Sequence, residues 1–353
     1  MKNKAEKILF LLLITCSSCS SIYRFSVEMQ EPALFTLPAS AQNVLILNNT
    51  VTQTENYGIE RKYDGRSIRP DFPLSLDSMI WASIAEIATV LTESDFFNTI
   101  AVYKQPLRTD TEWLTTLEIS PEMQSEFFEE NYDALLVIDR LLFSLKENVK
   151  TIKTGFFTIE QTAFVDMRVD GIITCSMYTY GNEKTFISFT VTDSLYVKST
   201  INNDSILLFK EIPEFIMDEL SRQLGNQVAN RFIPMWRSSE RLLFTNLNPR
   251  MKEALSYAAD HQWDKAELIW ITELEKKTKP ADKAKIAYNL AITNEMKDKF
   301  VQALEWAQKA KEYLKNANPN NYSQEIELTD KTILELERRI RNNRLLDLQW
   351  GKE

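Results

Sequence analysis

Histidine occurs once in the 353 residues, at His261, and cysteine three times, at Cys16, Cys19 and Cys175. Glycine is scarce as well, with seven in all. Each scarcity removes a class of chemistry. A single histidine leaves no HExxH motif and no histidine-rich metal set. A Ser-His-Asp triad would have to use His261, and Asp260-His261-Gln262-Trp263 reads as a solvated turn between two helical patterns. The glycines nowhere form GxGxxG or GxxxxGK[ST], so nucleotide phosphates have no cradle. Two of the cysteines stand at the end of an N-terminal apolar run. Only Cys175 lies in the body, which rules out a disulfide framework or a two-cysteine zinc half-site there. A basic stripe is missing too. The net charge is −9; residues 251–353 carry acidic and basic side chains in equal number, so the acidic excess lies between Cys19 and Arg250. That distribution argues against nucleic acid and against polybasic attraction to anionic lipid. No cofactor, metal or nucleotide is expected.

What is present begins with an address. Lys2, Lys4 and Lys7 precede the apolar run Ile8–Ile14, far shorter than the about 20 residues needed to span a bilayer. Basic residues, a short apolar run and then small residues form a secretory signal peptide, here 1–18. The stretch Leu13-Ile14-Thr15-Cys16-Ser17-Ser18-Cys19 resembles the lipobox of bacterial lipoproteins. The resemblance implies lipidation at Cys19, with Cys16 as the alternative, and an outer-membrane anchor in a Gram-negative-type envelope. Multiple acyl chains give stable attachment. No acidic run follows Cys19, which favours the periplasmic face. Residues 19–40 read as a tether, in which Phe25–Met29 alternate as a short edge strand joining the sheet before Pro32 and Pro38 interrupt it.

Residues 41–245 read as an α/β mixed-sheet domain. Asn43–Asn48 is a continuous apolar run suited to a buried strand. Asp77 is placed as an N-cap for a helix over 78–92, where Ile80, Ile84, Ile87 and Leu91 recur at helical spacing. Strands are expected at 99–103 and 134–139, with a helix opening at Pro121-Glu122, an order that predicts parallel pairing. From Val165 to Met177 the odd positions are apolar. With a turn at Gly181-Asn182 and a second run from Ile187 to Val197, they predict a long antiparallel hairpin with one buried face. Cys175 falls on that face as a small apolar residue. A helix over 211–232 closes the domain, with Phe215, Leu220, Leu224 and Val228 inward. The element order resembles the N-terminal domains of curli-secretion and TolB-type lipoproteins, which implies docking or assembly rather than catalysis.

Residues 246–353 read as all-α. Trp263-Asp264-Lys265-Ala266 and Phe300-Val301-Gln302-Ala303 answer each other 37 residues apart, and Ala254 answers Ala291. With Asn289-Leu290-Ala291 and the small series Ala303, Ala307 and Ala310, the stretch resembles tetratricopeptide repeats. The first unit departs from that pattern at Trp270 and Glu273 and in the extra residues around Lys279-Pro280-Ala281. The resemblance implies an inner groove that takes an extended peptide, lined by Met251, Leu255, Lys285, Tyr288, Asn289 and Ile292; packing against other parts of the chain is the competing reading. Two units need a cover, and the apolar stripe Ile326, Ile333, Leu336, Ile340 and Leu345 supplies a capping helix.

The fold class expected is therefore α+β, a mixed sheet with helices packed on it, followed by an all-α tetratricopeptide-like domain. The domain order resembles an uncharacterised Gram-negative lipoprotein family. The function expected is a lipid-anchored, non-catalytic scaffold or docking protein for another envelope protein. The alternatives are a self-associating assembly or secretion component, and an envelope glycan hydrolase using carboxylates such as Glu126, Glu129, Glu130 and Asp139.

Overall fold

The computed structural model describes residues 22–54, 57–67, 76–154, 160–180, 186–202, 212–245 and 248–351. The expected signal peptide, Cys16, Cys19 and the expected Gly181-Asn182 turn lie outside these residues. The chain forms two compact units. The α/β unit comprises residues 32–235 and 347–353; the helical unit takes 236–346 together with the N-terminal residues through Glu31. This division differs from a boundary near residue 245.

In the α/β unit, β2 (Asn43–Asn48) is parallel to β5 (Thr99–Val102) on one side and to β6 (Ala134–Thr154) on the other. Helix α1 (Leu76–Glu93) leads into β5, and α2 (Pro121–Glu129) precedes β6. Asp77 stands inside the first turn of α1 rather than capping it, while Ile80, Ile84, Ile87 and Leu91 all face the core. Strand β6 runs 15 residues past the expected end because of Asp139. Pairing with β7 (Glu160–Thr179) skips Asp139, which bulges between Ile138 and Arg140. Leu136 and Ile138 face the main core before the bulge, and Leu141, Phe143 and Leu145 face it afterwards. One extra residue thus resets the alternation. Buried Asp139 accepts hydrogen bonds from Ser176 (2.6 Å) and Asn49 (3.3 Å). Burial pushes its carboxyl above the ordinary range against those two bonds.

The whole of one edge of β6 pairs with β7, and β7 in turn with β8 (Phe186–Asn202). The other edge is shared: β2 pairs with its first residues and β3 (Ile59–Tyr63) with Leu145–Val149. Strand β3, which continues into the short β4 (Arg66–Ser67), falls where the sequence suggests only a polar loop. Its Ile-Glu-Arg-Lys-Tyr pattern carries no buried face, and pairing to β6 holds it. Between β2 and β3 the Gln53 side chain stands in for a strand. Its Oε1 accepts from Phe143 N (2.8 Å) and its Nε2 donates to Phe143 O (2.9 Å). No strand pairs with the outer edge of β8 among the described residues.

The odd positions Val165, Met167, Val169, Ile173, Cys175 and Met177 of β7 are buried, as the alternation predicts. They pack beneath α1 and α3 (Ile212–Ala229). Phe215 is 71% exposed; Ile216 and Met217 take the inner positions in its place. Three adjacent apolar residues leave the phase of a helical face open by about one residue. Helices α3 and α1 touch at Gly225, where an added Cβ would lie 2.5 Å from the Ser83 carbonyl oxygen.

In the helical unit, α4 (Pro249–Ala259) pairs with α5 (Trp263–Lys276), and α6 (Pro280–Glu295) with α7 (Phe300–Asn316). Helix α8 (Ser323–Gln349) places Leu336 against Ala291, Ala303 and Ala307, whose small side chains permit close approach. Strand β1 (Ile22–Glu31) falls within the expected tether and is longer than the short strand at Phe25–Met29. It joins β9 (Met235–Phe244) in a separate two-stranded sheet rather than the main one. Arg24 meets Glu240 and Ser26 meets Ser238 across this ribbon. The ribbon is fastened by a buried ionic network. Arg241 gives Glu295 two hydrogen bonds, at 2.8 and 2.7 Å, and Arg339 adds a third at 2.7 Å. Further out, Glu31 pairs with Arg237 (3.1 Å) and Arg338 (3.0 Å).

Two outcomes follow. Gly225→Ala would gain about 1 kcal/mol as a helix former, yet its methyl group meets a backbone carbonyl that cannot yield. The variant is expected to lose roughly 1–3 kcal/mol net in urea unfolding; a gain would contradict the packing. For Glu295, burial pushes the carboxyl up, but the Arg241 and Arg339 bonds and charges outweigh it and hold it below 4.5. A depressed carboxylate contributes stability that is full above its unfolded value and is lost as pH falls through the folded one. Glu295→Gln is therefore expected to cost about 3–5 kcal/mol at pH 7 by stranding buried charge. It should also flatten the acid limb of stability below pH 4.5, which unfolding curves across pH would measure.

Candidate functional site

The inner face of the helical hairpins is built by α6. The sequence Ala284–Glu295 is buried nearly all round, and its polar members must therefore find partners inside. Of the six expected groove residues, Met251, Tyr288, Asn289 and Ile292 are buried, while Leu255 and Lys285 are half-buried. The structure brings them together around one object, the end of β9. Leu242, Leu243 and Phe244 share a core cluster with Met251, Tyr288 and Ile292, and Leu255 packs on its margin.

Asn289 clamps this strand by its backbone. Its Oδ1 accepts from Phe244 N and its Nδ2 donates to Phe244 O, each at 2.8 Å. The Phe244 ring stands edge-on to Tyr288 with centroids 5.4 Å apart, and the Lys285 ammonium lies 5.7 Å from its centre. The Tyr288 hydroxyl reaches Thr332 of α8 at 3.1 Å, and burial pushes its pKa up to about 12. Three residues before Phe244, Arg241 enters the ion network at Glu295. The groove thus holds an extended segment of its own chain, residues 241–245, so these side chains are occupied within the molecule.

The reading from sequence missed Arg241, Phe244 and Glu295. A signal existed: Asn289 and Glu295 interrupt an otherwise apolar helix, and polar groups on such a helix need internal partners. Nothing local in Arg241-Leu242-Leu243-Phe244 says which helix receives it. Trp270 is fully buried, whereas Trp263 and Trp306 are half-buried. The departure at Glu273 is accommodated by bonds from Asn248 (2.6 Å) and Lys276 (2.9 Å).

The residues weighed for catalysis are scattered. His261 sits at φ 57° between α4 and α5, with its ring 6.3 Å from that of Trp263. Cys175 is fully buried, and burial pushes its thiol well above the ordinary range. Glu126, Glu129 and Glu130 are exposed on or just beyond α2, whereas Asp139 is buried and engaged by Ser176 and Asn49. Among the described residues no group of three or more His, Cys, Asp or Glu side chains is arranged to hold a metal, and no helix is long and apolar enough to cross a membrane.

Comparison with known proteins returns families rather than activities. No curated protein matches the chain. Three solved structures are similar to it at low scores. A minor lipoprotein from Acinetobacter baumannii has a TM-score of 0.23 at 7% identity, covering 54% of this chain and 93% of its own. A hypothetical protein from Chlamydia trachomatis has 0.25 at 11%, covering 54% and 98%. A putative neuraminyllactose-binding hemagglutinin homolog from Helicobacter pylori has 0.22 at 14%, covering 57% and 96%. Residues 252–338 match a second domain of unknown function, DUF6340. Residues 41–244, more than half of the chain, match the domain of unknown function DUF8603, and the chain belongs to that family.

Proposed function

We propose that the chain is a lipid-anchored, non-catalytic envelope protein that docks another envelope protein by capturing an extended segment in the helical groove. The observation that carries this reading is the hold on residues 241–245. The groove binds the peptide unit of Phe244 through Asn289, its ring through Tyr288 and Lys285, and the flanking Arg241 through Glu295. A partner segment with an arginine three residues before an aromatic side chain would satisfy the same groups, displacing the resident strand. The tetratricopeptide resemblance of the sequence supports this reading, with the site filled from within. The anchor is Cys19, with Cys16 as the alternative, on the periplasmic face of the outer membrane. Since β1 begins at Ile22, three residues after Cys19, the acyl group would lie at most about 10 Å along the chain from the ribbon.

Two experiments test the reading. Labelled palmitate should enter the full chain and its Cys16→Ser variant but not Cys19→Ser. The reverse result would move the anchor to Cys16, and no label in the unaltered chain would remove it. For docking, Phe244→Leu keeps apolar bulk but loses the ring contacts, weakening the resident segment by roughly 1 kcal/mol. Crosslinked partner recovered from intact cells should then rise about fivefold. An unchanged or smaller yield, with the variant folded, would show that the groove serves only the molecule's own packing.

A further inference from the structure

A second concave site lies at the other unit's carboxyl-end crevice. From β2 the chain runs to β3 and β4 beyond β6, crosses back through α1 to β5 on the other side of β2, then reverses again through α2 to β6. Such a reversal opens a crevice beyond the strand ends, where open α/β sheets receive ligands. Here it forms a cavity of about 540 Å³, within the range of small-ligand sites. Asn48 at the end of β2, Asp77 and Trp81 of α1, and Arg108, Asp110 and Trp113 of the loop before α2 line it.

Arg108 and Asp110 form a neutral pair in this cavity. The Arg108 guanidinium commits four N–H donors, giving Asp110 bonds at 2.9 and 2.7 Å and binding the carbonyls of Thr115 (2.6 Å) and Glu112 (2.9 Å). Asp110, hydrogen-bonded to it, is held down to about 2 and stays ionised, so the pair is neutral as a unit. Asp77 sits in the first turn of α1, where the helix end offsets its charge, and accepts a bond from Thr52. An anion would find no uncommitted cation, and a cation would find a single carboxylate, Asp77, whose charge the helix end offsets in part.

The remaining groups suit a neutral ligand rich in hydroxyls. Asn48 is 5% exposed. Its Oδ1 is taken by the backbone N–H and the hydroxyl of Thr50, at 3.0 and 2.8 Å, whereas its Nδ2 meets no acceptor among the described residues. Asn48 lines the cavity, and this donor is left open to a ligand there. Trp81 and Trp113 add indole surface, the latter braced edge-on by Tyr57 at 4.5 Å between centroids. A sugar ring matches each element: its C–H faces pack on indole, one hydroxyl oxygen accepts from Asn48, and another hydroxyl donates to Asp77. We propose that this crevice binds a neutral saccharide, independently of the groove.

The test uses the full chain in detergent, titrated with maltotriose, cellotriose and chitotriose. Sialyllactose and glucosamine serve as charged comparators, and indole fluorescence and calorimetry give the readout. Saturable binding of at least one neutral sugar is expected, weakened about tenfold or more by Trp113→Ala and by Asn48→Asp at unchanged circular dichroism. Asn48→Asp keeps the oxygen that Thr50 uses but exchanges the donor for an acceptor and adds a negative charge, so Trp113→Ala, which changes no charge, is read beside it. No saturable binding of a neutral sugar at millimolar concentration, binding confined to the charged sugars, or binding untouched by both variants would overturn the proposal.

Discussion

Strand β6 must satisfy the backbone donors and acceptors of 21 residues along two edges, and the α/β unit is arranged around that demand. One edge is met by β7 throughout. The other is met in sections, first by β2, then by the amide of Gln53, then by β3. A primary amide carries one donor and one acceptor side by side, as a peptide unit does, so a single glutamine can bridge the interval between two strands. The bulge at Asp139 lies in the same interval. It turns the strand's apolar side so that both halves of β6 face one core, and it leaves a carboxylate buried where Ser176 and Asn49 can receive it.

The same amide device recurs twice. Asn289 treats Phe244 in this way within the helical unit, and within the α/β unit Gln349 treats Ala33 likewise, with bonds at 2.9 and 3.1 Å. Each pairs a helix or loop side chain with one residue of extended backbone. A clamp of this kind reads the peptide unit and is indifferent to the side chain between its two bonds. In the helical groove the side chains are held apart from the clamp, where Arg241 meets Glu295 and the Phe244 ring meets Tyr288 and Lys285.

The parts of the fold that were legible in the sequence are those with an uninterrupted period. The apolar runs at 43–48 and 134–138, the helical spacing from Ile80 to Leu91, and the odd positions of β7 all correspond to buried faces. The illegible parts depend on partners far along the chain. Strand β3 has no apolar face, and the second half of β6 changes phase at one residue. The ribbon joins residues more than 200 positions apart, as Arg24 and Glu240 show. The candidate groove was legible as a set of neighbours on α4 and α6, but its occupant was not. Arg241-Leu242-Leu243-Phe244 is too short and too mixed to declare its destination. The crevice was less visible still, because Asn48, Trp81 and Trp113 are brought together by the strand-order reversal and share no motif.

Strand β8 ends the sheet with 17 residues, and between Phe186 and Asn202 the charged side chains are Asp193 and Lys198 alone, with no proline. Proteins commonly protect such an edge with charge, proline or a bulge. Among the described residues this edge carries two charges, no proline and no bulge, and so remains a template for another strand. The chain's handling is thus coupled to concentration: crowding would favour edge-to-edge pairing through β8, and dilution or a partner covering that edge would suppress it.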